Sequence, residues 1–150
     1  MNNRAIQEVL LAALLAGLTP GARRAADAVK AGKWQFTTQM QLPAPQAPAG
    51  GQSVPGSGQP MTRTACIDPT HPIPVEEQCK LDNMQRNGGA VTWAMTCSMP
   101  QGPVRSTGSG HYAGDTMTAT LTAVVPDPNG KWVNAPGRIT GRYLGPCDAR

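Results

Sequence analysis

CKLDNMQRNGGAVTWAMTC, residues 79–97, is the stretch whose reading decides the fold. Cys79 and Cys97 lie equidistant from Gly88, inside Asn87-Gly88-Gly89, a triplet that favours a hairpin turn. Centred on Gly88, the hairpin sets Cys79 against Cys97, Leu81 against Met95, Asn83 against Trp93 and Gln85 against Val91. Val91, Trp93, Met95 and Cys97 then share the core face with Cys79 and Leu81. Thr92, Ala94 and Thr96 share the opposite face with Lys80, Asp82 and Met84. Directly opposed residues in a hairpin bring Cβ atoms within bridging range, so Cys79–Cys97 is read as a disulfide. The remaining cysteines, Cys66 and Cys147, pair by elimination.

Alternation continues on both sides of this hairpin. From Lys33 to Leu42, Trp34, Phe36, Thr38, Met40 and Leu42 point one way and Lys33, Gln35, Thr37, Gln39 and Gln41 the other, the pattern of a half-buried strand. Residues 43–60 are Pro, Gly, Ala, Ser and Gln in the main and read as a mobile loop. A second strand covers Met61 to Ile67 and stops at Asp68-Pro69, and His71 to Gln78 reads as a short helical turn. A further hairpin spans Val104 to Val125, closing at Gly114-Asp115. Its register pairs Tyr112 with Met117, Gly110 with Ala119, Gly108 with Leu121, Ser106 with Ala123 and Val104 with Val125. Gly108 and Gly110 then face inward, which implies a sheet bend or room for something bulky. After the turn at Pro126 to Gly130, Trp132-Val133 and Arg138 to Leu144 read as two further strands. Beyond the leader no segment has the apolar period of a helix. The fold expected is all-β, an antiparallel meander of about seven or eight strands forming a barrel or half-barrel.

Residues Val9 to Leu18 form an apolar run too short to span a bilayer, with Arg4 before it and Ala26-Asp27-Ala28 after it. This reads as a leader helix and signal peptide, residues 1–28, cleaved after Ala28. No cysteine near that site offers a lipid anchor, and no second apolar span follows. What remains is one domain, residues 29–150, exported to the periplasm of a Gram-negative bacterium, where disulfides persist. The chain carries a formal net charge of +4. Losing Arg4, Arg23, Arg24, Glu8 and Asp27 with the leader lowers that slightly, and the remaining basic residues are scattered singly. No nucleic-acid partner is expected. With three Trp, two Tyr and one Phe, the core is small enough to benefit from covalent staples.

The residues that could carry chemistry are few. His71 and His111 are the only histidines; His71 falls in a Pro-rich turn and His111 on the Thr-lined wet face. No nucleophile elbow, phosphate loop or zinc spacing occurs, so neither a cofactor nor a metal is expected, a soft copper(I) site at Met95, Cys97 and Met99 included. Glu76 and Glu77 are adjacent and point apart, which suits no acid–base pair. Arg138 and Arg142 share the outer face of the last strand, in reach of an anion but more simply solvated. With every cysteine committed, no catalytic residue is assigned and the chain is read as no enzyme.

Several of these motifs recur together in one family. Gly32-Lys33-Trp34, the Pro/Gly loop, Cys66-Ile67 with a Pro-led turn, Cys79-Lys80, Val91-Thr92-Trp93-Ala94-Met95-Thr96-Cys97 and Gly141-Arg142-Tyr143-Leu144-Gly145-Pro146-Cys147 resemble the bacterial exported-protein family DUF 3617, a domain of unknown function. The resemblance spans about residues 29–149 and implies a periplasmic address without an activity. Gly32-Lys33-Trp34 also resembles the opening strand of lipocalins and related calycin barrels, which implies that Trp34 packs beside Arg138 or Arg142. The function expected is non-enzymatic: a β-barrel-like interior binding a small apolar or amphipathic ligand. Trp34, Phe36, Trp93, Gly108, Gly110, Leu121 and Tyr143 are the residues expected to face that ligand or form the core around it. The alternative is a structural or interaction module of the cell envelope, holding a partner protein on its Thr-rich outer face.

Overall fold

The computed structural model describes residues 28–41 and 58–148. The leader, Leu42 and most of the 43–60 loop lie outside the described residues. Seven strands follow one another: β1 Gly32–Met40, β2 Met61–Ile67, β3 Cys79–Asn87, β4 Ala90–Met99, β5 Gly102–Ala113, β6 Thr116–Pro126 and β7 Trp132–Gly145. They form one antiparallel sheet in the order β2-β1-β7-β6-β5-β4-β3, curled into a half-barrel. Every pairing of a closed seven-stranded meander is present except β2 with β3. The segment 68–78 runs between those two strands, which are the free edges of the sheet, and crosses the concave side as a strap. There it buries Pro72 and Ile73, and the Tyr112 hydroxyl donates to the Pro72 carbonyl at 2.5 Å.

The expected short helical turn at 71–78 does not form. A residue preceding proline is steered away from the helical region, and Pro72 and Pro74 apply that restriction to His71 and Ile73. The Asp68 carboxylate accepts instead from the backbone N–H groups of Thr70 and His71, at 2.7 and 2.9 Å, an Asx-type turn. A hydrogen bond from the Thr70 hydroxyl, with those from the two backbone N–H groups, holds the Asp68 carboxyl down from the ordinary 3.8 to about 2. A depressed acid stabilises the fold above its unfolded pKa, and that contribution is lost as pH falls through the folded one. The turn is therefore expected to loosen only between about pH 4 and pH 2, as an NMR titration following the Asp68 carboxyl and the Thr70 and His71 amides would show.

The Gly114-Asp115 hairpin keeps the expected register, Tyr112 with Met117, Gly110 with Ala119 and Gly108 with Leu121. Gly114 takes φ 61°, the positive value that its loop position requires. The β3–β4 hairpin departs from expectation in its inner half. Cys79, Lys80 and Leu81 pair with Cys97, Thr96 and Met95, but the register then shifts, setting Met84 against Trp93 and Arg86 against Val91. The loop is Gly88-Gly89, not a triplet centred on Gly88, and a bulge between Leu81 and Asn83 absorbs the odd residue. As a result Met84 packs against the core, opposite to the face first assigned to it.

Trp132-Val133 and Arg138–Leu144 are one 14-residue strand rather than two. Pro136 is tolerated inside it because the ladder with β1 ends there. Its carbonyl accepts from the Gln41 N–H at 2.7 Å, and the N–H that proline lacks would point to that same side.

Four of the six aromatic rings lie against glycines. Phe36 faces Gly141, Trp93 faces Gly108, Tyr143 covers Gly32 and Trp132 lies on Gly102. The room that Gly108 was expected to leave is thus filled by the Trp93 indole. A Cβ at Gly108 would collide with that ring. Gly108→Val is expected to cost about 3 kcal/mol through overpacking, read as a lowered urea midpoint with an unchanged m-value.

Candidate functional site

The core divides into two ends. At one end Trp34, fully buried, meets Tyr112 and Tyr143 edge-on, with ring centroids 5.0 and 5.6 Å away. Its indole N–H donates to the Lys30 carbonyl at 2.9 Å, and the Lys30 ammonium sits 3.9 Å from the Tyr143 ring centroid. Lys30 also pairs with Asp115 at 2.7 Å, and the hydrogen bond to that carboxylate raises the lysine pKa. The arginine expected beneath Trp34 is not there. Arg142 donates to Gln35 at 3.2 Å, and Arg138 pairs with Gln39 and Thr120, so both belong to the opposite face from Trp34. The likeness to lipocalins therefore stops at the Gly32-Lys33-Trp34 motif, since the sheet is also open between β2 and β3.

At the other end the half-barrel leaves a pocket of about 150 Å³ under the strap. Phe36, Met117, Leu121 and Ile139 supply sheet-borne apolar lining, and Trp93 and Met95 add the wall contributed by β4. Arg63, Pro74 and Glu76 also line it. The Arg63 guanidinium forms an ion pair with Glu76 and donates to the Pro74 carbonyl at 2.9 Å, tying β2 to the strap. Both side chains remain substantially exposed, so the pair sits at the lip rather than in the floor. Partial burial lowers the arginine's pKa. Thr38 and Ser106 add the hydroxyls.

Of the residues singled out from the sequence, Phe36, Trp93 and Leu121 meet in this pocket. Trp34 and Tyr143 belong to the separate aromatic cluster. Gly108 lies beneath the Trp93 ring and Gly110 against Ala119, so neither lines the pocket. Arg63 and the strap residues Ile73 and Pro74 escaped the sequence reading, and Glu76 was weighed there only as half of an acid–base pair. A signal for Arg63 was present: it shares its parity on β2 with Ala65 and Ile67, which pack inward, and it stands opposite Phe36. A charge turned inward on an edge strand is also a known guard against edge-to-edge pairing. His71 and His111 are both exposed, on the strap and on the outer face.

Both disulfides pair as expected. Cys79–Cys97 joins directly opposed residues at the base of the β3–β4 hairpin, with Cα atoms 3.9 Å apart, on the face of Trp93 and Met95. Cys66–Cys147 ties edge strand β2 to the chain beyond β7, past the start of β1, with Cα atoms 5.9 Å apart.

Fold and staples together define a small, disulfide-bridged antiparallel half-barrel with one pocket under its strap among the best formed. The family model described as "Protein of unknown function (DUF3617)" matches residues 29–147, and the chain belongs to that family. No curated protein and no solved structure matches the chain.

Proposed function

We propose that this is a non-enzymatic periplasmic domain that binds a small apolar or amphipathic ligand in its half-barrel. The observation that carries the reading is the apolar pocket of about 150 Å³ with a charged pair on its lip. That volume resembles an engineered cavity that admits benzene, and it is below the 300 Å³ or more usual for drug-sized sites. The ligand is therefore a single ring or the end of an acyl chain, not a whole lipid. Burial of five methylenes would contribute about 4 kcal/mol, and a polar head at Arg63 would add to it. Export is supported by the two disulfides. A non-catalytic role is supported by the lining, whose one carboxylate, Glu76, is held by Arg63.

Native mass spectrometry of the oxidised protein after incubation with envelope lipid extract tests the proposal. One adduct of low mass is expected, lost in Met95→Trp, which fills the pocket, while the far-ultraviolet circular dichroism stays unchanged. Recovery of the empty protein alone would leave the envelope interaction module as the better reading.

A further inference from the structure

The geometry points to a second binding site, on the outer face of the sheet, for an acidic oligosaccharide. A groove of about 460 Å³ runs over β4 to β7 on the side away from the core pocket. Its exposed lining includes Thr92, Ser109, Thr118, Thr120 and Thr140, together with His111 and Arg138, and among the described residues no carboxylate lines it. The register arranges these in cross-strand rows. One runs Thr92, Ser109, Thr120, Arg138 and the next runs His111, Thr118, Thr140, Thr37.

Neighbouring members of a row stand about 4.8 Å apart, and each hydroxyl can both donate and accept. Such an array suits a ligand that itself presents hydroxyls at short intervals. Strand propensity alone accounts for threonine on a wet face, but not for a groove with an unneutralised guanidinium at its edge. Among the described residues Arg138 has neither an ion-pair partner nor a side-chain hydrogen bond, as is true also of Lys80, Arg86, Arg105 and Lys131, and it is the one of these that lines the groove. Its planar fork matches a carboxylate. Arg142 lies four residues further along the same face of β7 and Arg105 stands on the same face of β5, so the face presents separated cations, which suit a glycan with acidic groups at intervals. Nucleic acid would call for dense cations and stacking rings, and among the described residues no Phe, Tyr or Trp lines the groove. An anionic membrane would call for clustered Lys or Arg or an apolar anchor, and the lining supplies neither.

Calorimetric titration of the oxidised full chain with size-defined oligogalacturonate, beside neutral dextran oligomers of equal length, tests this. Oligogalacturonate is expected to bind at least about tenfold more tightly than dextran, and added salt should weaken it. Arg138→Gln should lower the affinity about tenfold, with partial recovery in Arg138→Lys. Thr118→Val with Thr120→Val should weaken it several-fold, the strand preference being retained. Arg86→Gln, on edge strand β3, and Met95→Trp, in the core pocket, should leave it unchanged, which keeps this site's fate separate from that of the pocket. Equal binding of neutral and acidic oligomers, an unaltered Arg138→Gln, or adsorption to phosphatidylglycerol vesicles without oligogalacturonate binding would overturn the assignment.

Discussion

Replacing Cys66 and Cys147 together by serine is expected to cost about 4.5 kcal/mol of folding stability in the chain-entropy account. The bridge closes a loop with a sequence separation of 81, against 18 for Cys79–Cys97. The same account assigns the shorter loop about 3 kcal/mol. Position adds to the difference. Among the described residues β2 is a free edge that pairs with β1 alone, and its other tethers are Ala65 and Ile67 on the core and the Arg63 contacts to the strap. Cys79–Cys97 instead reinforces a hairpin that its own turn already brings together. Urea titrations of the two double-serine variants should therefore rank Cys66/Cys147 as the more costly pair. The opposite ranking would mean that β2 is held mainly by its ladder to β1. Since small domains are stable by about 5–15 kcal/mol, the Cys66/Cys147 variant should lose a large fraction of its stability and show a clearly lowered urea midpoint.

Trp34→Ala is expected to cost about 4 kcal/mol, within the range for truncating a buried tryptophan. Trp34 is fully buried and touches both tyrosines of the chain, and it stacks loosely on Phe36 at 6.3 Å. Truncation removes these contacts together and leaves the Lys30 carbonyl without the indole N–H. Trp34→Phe should recover part of the loss, because ring area returns while the hydrogen bond does not. A thermal midpoint for Trp34→Phe lying between wild type and Trp34→Ala would support that division. Equal losses in the two variants would place the whole effect in the hydrogen bond to Lys30.

Much of this architecture was legible where one turn controls one ladder. Gly114-Asp115 sets every pair from Ala113 to Arg105, because a two-residue loop admits a single register. The alternation of Trp34 and Phe36 marked the core face of β1 in the same way. Failures came where a local irregularity interrupts the period. The bulge near Asp82 moves Met84 inward, and only an apolar residue at the wrong parity hinted at it. Pro136 disguised one long strand as two, because its tolerance depends on where β1 ends. The pocket was the least legible part. Its strap and lip come from β2, from the 68–78 crossing and from β4, which no local pattern brings together. Gly108 drew attention as empty space, whereas the Trp93 ring that fills it comes from the neighbouring strand β4.

The ladder between β1 and β7 has a consequence for timing. It joins Lys33 to Gly145, so the first strand of the sheet is hydrogen-bonded to the last. β3 to β7 pair in succession through short connections, and each such ladder can form as soon as its second strand exists. β1 pairs on one side with β2 across the 41–60 connection, but its other side has no partner until Gly145 has been made, and closing so long a loop is slow compared with zipping a hairpin. The β1–β2 pair thus joins the β3–β7 meander last, through β7. Any fragment ending before β7 leaves Trp34 and Phe36 without the strand that covers one side of them. Arrival of β7, rather than collapse of the first half, is the event that joins β1 and β2 to the rest of the sheet.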